Sequence, residues 1–424
     1  MSFLLLAGFG LLFLFGWPVV LAILIPSILY VLLSGIPIEL IGQRMSYALD
    51  SFPLVAVPIF IFIGNFMNQA GITERIFRFA DTIVGRVPGG LAQVNIVASL
   101  IFSGMSGAAL ADVGGLGRIE VKAMESHGFK REFAGALTCA SAIVGPIFPP
   151  SIPLIIYGSV TSVSIIQLLL AGIMPALLCV GLLMITVAVL ARWRNFPRAA
   201  RWSRPSEILA AFLPALPALL TPVLLVAGML LGYFTPTEAA SVTVVYVVLI
   251  SAFVYRTLTW ARLLYAAYET LKSTSAILII VAAAAIFGWI LAIEQIPQVF
   301  ARQLLSLSTD PLMLLLIVNL LLLIVGMFLD STTATLLVIP IIAAPLHAAG
   351  VDPVHLGIVA IFNLMIGLVT PPMGLALFLM ADIANVSMRR ILTELVPFYI
   401  PLGGTLLIIT LFPEISLWLP KMIR

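Results

Sequence analysis

Apolar stretches of about 20 residues recur along the whole chain, the length an α-helix needs to cross a bilayer. Two of them are broken in the same manner. The first break reads Gly145-Pro146-Ile147-Phe148-Pro149-Pro150 and the second Gly367-Leu368-Val369-Thr370-Pro371-Pro372, with the glycines and both proline pairs 222 positions apart. Proline cannot donate a backbone hydrogen bond, and a glycine-containing turn frees carbonyls. In hydrocarbon such a gap is tolerated only against protein or a watery cavity. Paired interruptions at corresponding points of two halves are the sequence mark of a transporter's binding site.

The 424 residues are 62% hydrophobic and 9% charged, whereas soluble domains carry roughly a quarter charged residues. The chain is therefore expected to be an all-α polytopic membrane protein; the short alternating strands of a β-barrel are absent. The apolar run from Phe3 to Leu33 lacks a basic start and exceeds a signal peptide, so it is expected to stay as a membrane segment. Cys139 and Cys179 sit in apolar stretches and read as buried free thiols. Only three histidines are present, in connections preceding the breaks, and no metal helix, Walker loop or Gly-x-Ser-x-Gly elbow occurs. Neither ATP hydrolysis nor covalent catalysis is indicated, so the chain is not expected to be an enzyme and draws on an ion gradient or a partner.

Arg192, Arg194, Arg198, Arg201 and Arg204 crowd one central loop beside Trp193 and Trp202. Short basic loops stay on the cytoplasmic side and Trp favours the interface; a nucleic-acid patch is the competing interpretation and no nucleic-acid partner is expected. The loop, 192–204, divides the chain into halves at 1–191 and 205–424. Apolar segments fall near 3–33 (interrupted at Gly16-Trp17-Pro18), 53–69, 91–113, 134–160 and 165–191, then 210–232, 237–256, 275–293, 312–345, 356–380 and 397–420. Glycines 104, 128 and 135 recur at 326, 350 and 357, and Val163-Ser164 recurs at Val386-Ser387. Upstream, Gly64, Ile72 and Arg78 recur at Gly288, Ile296 and Arg302. Glycine matches at a fixed spacing mark an internal duplication, and inverted topology is the common arrangement for carriers with broken helices. Ile72 to Arg86 and Phe253 to Lys272 mix charge with aromatics and are expected to be amphipathic helices on the membrane surface.

The stretch 102–112, Phe-Ser-Gly-Met-Ser-Gly-Ala-Ala-Leu-Ala-Asp, is the richest in small and polar residues at membrane depth. Small residues alone permit close helix packing, but Asp112 adds an intramembrane carboxylate, which marks an ion or substrate path. The second half answers with Gly326-Met327-Phe328-Leu329-Asp330-Ser331-Thr332-Thr333. Hydroxyls and freed carbonyls suit a hard cation such as Na⁺ and disfavour a transition metal. One site would use Ser103, Ser106 and carbonyls around Gly145, Phe148 and Pro150; the other Gly326, Thr370 and carbonyls around Gly367 and Met373. Half-helix N-termini at the breaks would favour an anion. No Arg lies inside either polar stretch, and Arg118 belongs with Glu120 and Lys122 to a solvated end.

These motifs, with Gly-Pro-Ile-Phe-Pro-Pro-Ser-Ile-Pro-Leu-Ile-Ile-Tyr-Gly at 145–158 and Thr-Pro-Pro-Met-Gly at 370–374, resemble the large membrane subunit of tripartite ATP-independent periplasmic (TRAP) transporters over essentially the whole chain. The resemblance implies an elevator-type carrier in the bacterial inner membrane, with two re-entrant hairpins to which 91–113 and 312–335 contribute, and two broken helices in a moving domain. It implies Na⁺ coupling and delivery of an organic acid (a dicarboxylate, sialic acid or another sugar or keto acid) by a periplasmic substrate-binding protein. A small four-helix membrane subunit is expected as a separate chain. Carried over by motif, Ser103, Ser106, Gly145, Phe148 and Pro150 form one cation site and Gly326, Gly367, Thr370 and Met373 the other; Asp112, Ser151 and Asp330 are candidates for substrate contact. The alternatives are a self-sufficient ion-coupled anion carrier of the same superfamily and an ion channel.

Overall fold

The computed structural model describes residues 2–194, 196–197 and 202–422, with side chains for all of these except 2–4 and 103; Arg198 and Arg201 of the basic loop lie outside the described residues. Among the described residues the regular structure is entirely helical. Helices α1 (Ser2–Leu14) and α2 (Val19–Leu33) part at the Gly16-Trp17-Pro18 break, and α3 (Glu39–Leu49) follows. Then come α4 (Ala56–Gln69) and the amphipathic α5 (Ile72–Val84). A first hairpin is made of α6 (Leu91–Ser106), which descends to a turn at Gly107, and the returning α7 (Ala109–Gly114) and α8 (Leu116–Ser126). The first broken helix is α9 (Arg131–Ala142) and α10 (Ile152–Thr161), followed by α11 (Ile165–Ala171) and α12 (Ile173–Arg194).

The second half begins with α13 (Pro205–Leu230) and α14 (Pro236–Leu249), then α15 (Trp260–Ile293) and α16 (Ile296–Leu307). Its hairpin is α17 (Pro311–Phe328) and α18 (Ser331–Ala348), its broken helix α19 (Pro353–Leu368) and α20 (Leu375–Ala384). Helices α21 (Met388–Leu395), α22 (Tyr399–Leu411) and α23 (Glu414–Met422) close the chain. Among the described residues eight helices are long and apolar enough to cross a membrane, which makes this a multi-pass membrane protein. By contrast α10 and α20 have 10 residues each, and at ~1.5 Å per residue each reaches only halfway through a ~30 Å hydrocarbon layer.

The duplication is written into the backbone. Gly71 and Gln295, 224 apart, both turn in left-handed conformation, with φ of 69° and 55°. Gly128 and Gly350 do so at 90° and 96°, and Ser162 and Asn385, which end the two short half-helices, at 59° and 53°. Packing is reciprocal: α10 of the first half lies on α18 of the second hairpin, and α20 lies on α7 of the first. Such mutual contact is the property of a two-fold relation between the halves. Outside this body, α2, α3 and α4 pack against α15, and α14 against α4.

Two expectations are corrected. Residues 260–272 of the surface helix drawn over 253–272 run on into the span drawn over 275–293 as one helix, α15, of 34 residues, while 253–254 end the preceding helix in a π turn and 255–259 connect the two. From Trp260 to Phe287 no glycine or proline intervenes, and a change from polar to apolar composition does not stop a helix. Arg192 and Arg194 belong to the last turn of α12 and not to a loop; Arg194 pairs with Glu394 near the start of the closing helices.

Candidate functional site

Each hairpin turns where it meets a break. At Gly107 the backbone adopts φ 63°, and an ideal Cβ there would stand 2.5 Å from the Pro150 carbonyl oxygen. The Ile152 N–H donates to the Gly107 carbonyl at 3.2 Å. One turn earlier, Gly104 lets α6 approach the Phe148 ring, with 3.3 Å from an ideal Cβ to Cε1. The first tip is thereby docked on the gap between α9 and α10. Ser106, buried there, donates to Asp112 Oδ1 at 2.6 Å, and Asp112 is 1% exposed with Oδ2 accepting from nothing described. The Ser103 side chain lies outside the described residues; its backbone sits on α6 one turn before Ser106. The carbonyls of Gly145, Phe148 and Pro150 accept no backbone hydrogen bond from described residues. Ser151 is occupied locally: its hydroxyl donates to the Pro146 carbonyl and accepts the Leu154 N–H at 3.2 Å, capping α10.

In the second half Gly326 and Gly367 meet backbone to backbone, an ideal Cβ on Gly367 falling 2.5 Å from Gly326 Cα. The Thr370 hydroxyl donates to the Ile366 carbonyl at 2.7 Å and its N–H to the Gly367 carbonyl at 2.9 Å. Tyr399 donates to the Val369 carbonyl at 2.6 Å and so pins this gap to α22. Met373 is exposed beside Gly374, which has φ 53°. Asp330 is a cap: it accepts the Thr332 and Thr333 N–H groups at 2.9 and 3.2 Å and the Thr333 hydroxyl at 2.5 Å. The two aspartates are not repeat equivalents, since the position 222 before Asp330 is Ala108 and that 222 after Asp112 is Ala334. Only Asp112 keeps an oxygen unengaged.

A cavity of ≈ 440 Å³ lies between the hairpin tips; of the candidate residues Ser106 and Asp330 line it, whereas Asp112, Ser151, Gly145, Phe148, Pro150, Gly326, Gly367, Thr370 and Met373 do not. Ser106 and Ala108 to Ala111 of the first hairpin, Pro146 of the first gap, and Asp330 to Thr332 of the second tip form one wall. Gly64 and Asn65 of α4 with Ser273 and Ala276 of α15 form the other. Its size falls in the range of ~300–1,000 Å³ usual for small-molecule sites. No Arg, Lys or His lines it, so an acidic ligand would be met by hydroxyls, amides and a co-bound cation. Of the two half-helix N-termini, that of α10 is already capped by Ser151, whereas α20 starts at Gly374 with no side-chain cap; Asp330 caps α18 of the second hairpin.

The α4–α15 wall was not legible in sequence, nor was a polar cluster inside the first hairpin. Asn95 Nδ2 donates to Glu120 Oε2 and Thr138 Oγ1, each at 2.7 Å; Thr138 donates to Glu120 Oε2 at 2.8 Å and Ser141 to Asn95 Oδ1 at 2.9 Å. Glu120 is thus not part of a solvated end. Arg118 and Lys122 are exposed, while Glu120 is 0% exposed, turned to the opposite face of α8. Repetition of Asn95 and Ser141 at Asn319 and Asn363 was the available signal.

Residues 6–415 match the model of the family described as "Tripartite ATP-independent periplasmic transporter, DctM component". The chain is 43% identical over 417 residues to the sialic acid TRAP transporter large permease protein SiaM of Vibrio cholerae, covering 97% of this chain and 96% of that one. It is 40% identical over 381 residues to the sialic acid TRAP transporter permease protein SiaT of Haemophilus influenzae, covering 90% of this chain and 62% of that longer protein. In fold it is similar to the YdaH transporter of Alcanivorax borkumensis, with a TM-score of 0.63, 14% identity, and coverage of 88% and 87% of the two chains. The chain belongs to the DctM-component family of tripartite ATP-independent periplasmic transporters.

Proposed function

We propose that this chain is the large permease subunit of an importer that carries an organic acid across the bacterial inner membrane, coupled to Na⁺. A periplasmic binding protein would deliver the acid and a small membrane subunit would complete the scaffold. The observation that carries the reading is the cavity, walled by both hairpin tips on one side and by α4 and α15 on the other. A body built of hairpins and broken helices, sliding against the α4–α15 wall, would move such a cavity from one face of the membrane to the other, which is an elevator. Two relatives are named as sialic acid transporters, and an acidic sugar fits the size of the cavity, whose largely apolar lining offers hydroxyls at Ser106, Ser273, Ser331 and Thr332; dicarboxylates and keto acids belong to the same chemical class.

Na⁺ would enter as co-substrate. The donor set suits it: unengaged carbonyls at Gly145, Phe148 and Pro150 stand beside Ser106 at the first tip, and the second tip places Gly326 and Gly367 in contact next to Thr370. A hard cation takes such oxygens readily, and it would offset the charge of a carboxylate that meets no Arg. The basic end of α12 and the 195–204 segment would face the cytoplasm.

The test is uptake of sialic acid and of a C4-dicarboxylate into proteoliposomes, with and without the small subunit and the soluble binding protein. Uptake that requires Na⁺ and both partners is expected, and Ser103→Ala and Thr370→Ala are each expected to weaken Na⁺ activation while the protein still inserts. Uptake by the chain alone would replace the tripartite reading with a self-sufficient carrier. Unitary currents without saturable uptake would identify a channel. Wild-type Na⁺ activation in both variants would overturn the proposed cation sites.

A further inference from the structure

The Asn95–Ser141 hydrogen bond ties the first arm of the first hairpin to the first broken helix, and the repeat builds the same clasp again. In the second half Asn363 Nδ2 donates to Asn319 Oδ1 at 2.9 Å, with Asn319 and Asn363 standing 224 and 222 positions after Asn95 and Ser141. One component is not repeated. Glu120 and Thr138, hydrogen-bonded to each other in the first half, correspond at 222 positions to the buried apolar residues Ile342 and Ala360. The clasp therefore closes without a carboxyl, and Glu120 is an addition to it.

That addition has no counter-charge. Glu120 makes no ion pair with a described residue. Its Oε2 accepts from Asn95 and Thr138, while Oε1 is buried with no hydrogen-bond partner. The elements packed on α8 are α6, α7, α9 and α20. Of their titratable groups, α6 has none; α7 brings Asp112, another buried acid; α9 brings the buried Cys139 thiol and, at its outer end, Arg131 and Glu132; α20 brings the exposed Asp382. On α8 itself Arg118, Lys122 and Glu125 are exposed. A buried carboxylate without a counter-charge is far costlier than the neutral acid, which leaves only one hydroxyl unsatisfied.

We propose that Glu120 is a proton-binding site, its carboxyl carried inside the first hairpin as the neutral acid with the proton on Oε1. The hairpin then holds no bare buried charge at this point. The site stands on the geometry of the cluster, and its primary test does not depend on transport.

The experiment is infrared spectroscopy of the full chain in lipid nanodiscs at neutral pH, unlabelled and with glutamate carboxyls labelled with ¹³C. Glu120 is the only buried glutamate among the described residues, so a carboxylic-acid C=O band that shifts on glutamate labelling reports it without mutation. That band is expected in the wild type and absent in Glu120→Gln, and Na⁺ binding to Glu120→Gln is expected within about twofold of wild type. Absence of a glutamate-sensitive acid band would overturn the proposal. A tenfold or larger weakening of Na⁺ binding in Glu120→Gln would also overturn it, assigning Glu120 to a cation. Loss of Na⁺-driven uptake with the acid band intact would count against the transport reading and leave the proton site standing.

Discussion

Replacing Gly107 by Ala tests whether docking of the first tip on the first gap matters to cation binding. The residue has φ 63°, where a β-carbon costs about 1–2 kcal/mol. The new carbon would also lie 2.5 Å from the Pro150 carbonyl oxygen and 3.2 Å from its carbon, and forcing backbone apart in a packed interior costs typically another 1–3 kcal/mol. The total, roughly 2–5 kcal/mol, acts on the docked arrangement. Because Na⁺ would bind the docked form, its apparent constant rises by the reciprocal of the fraction of tips that stay docked; a 2 kcal/mol shift corresponds to up to about thirtyfold. Gly128→Ala is the control, with φ 90° and nothing within 4 Å of the added carbon. It carries the conformational cost alone and is not among the residues that line the cavity. Na⁺ activation of uptake, measured with both partner subunits present, and thermal unfolding in detergent distinguish the two. Gly107→Ala should lose Na⁺ affinity beyond any loss of stability, whereas Gly128→Ala should lose a little stability only. A Gly107→Ala protein whose Na⁺ activation lies within threefold of wild type would refute the link between tip docking and the cation site.

Two further substitutions follow from the contacts. Asp330→Ala removes the cap of α18 and should destabilise the protein by about 1–2 kcal/mol, seen as a lower unfolding midpoint; Asp330→Ser should recover most of it, since a hydroxyl can accept the same N–H groups. Arg194→Gln breaks a part-exposed ion pair with Glu394, so its cost should stay under about 1 kcal/mol and uptake should be unchanged.

Much of this architecture was legible because glycine and proline punctuate it. The two gaps, the hairpin turn at Gly107 and the break at Gly16-Trp17-Pro18 all coincide with glycine or proline, although proline alone is no stop signal here, since Pro214, Pro217 and Pro222 lie inside α13 and Pro340 and Pro345 inside α18. Long-range side-chain chemistry was less legible. Glu120 stands between Arg118 and Lys122 two residues to either side, a pattern that resembles a solvated turn; on a helix those neighbours point away from it. The continuity of α15 was hidden by its composition, because charge marks where a helix leaves the membrane and not where it ends. Asn65 of α4 and Ser273 of α15 meet at the cavity, a juxtaposition that no local spacing encodes.

Because each half's short helix rests on the other half's hairpin, neither half can finish its own interior. Roughly 170 residues separate the end of α10 from the start of α18, which at ~5–20 residues per second is on the order of 10–30 s of synthesis. For that interval the short helix α10 lacks the hairpin arm that packs on it. Biogenesis of this protein is therefore committed only when the ribosome has delivered the second hairpin, and fragments cut at the 195–204 segment should mature only when made together.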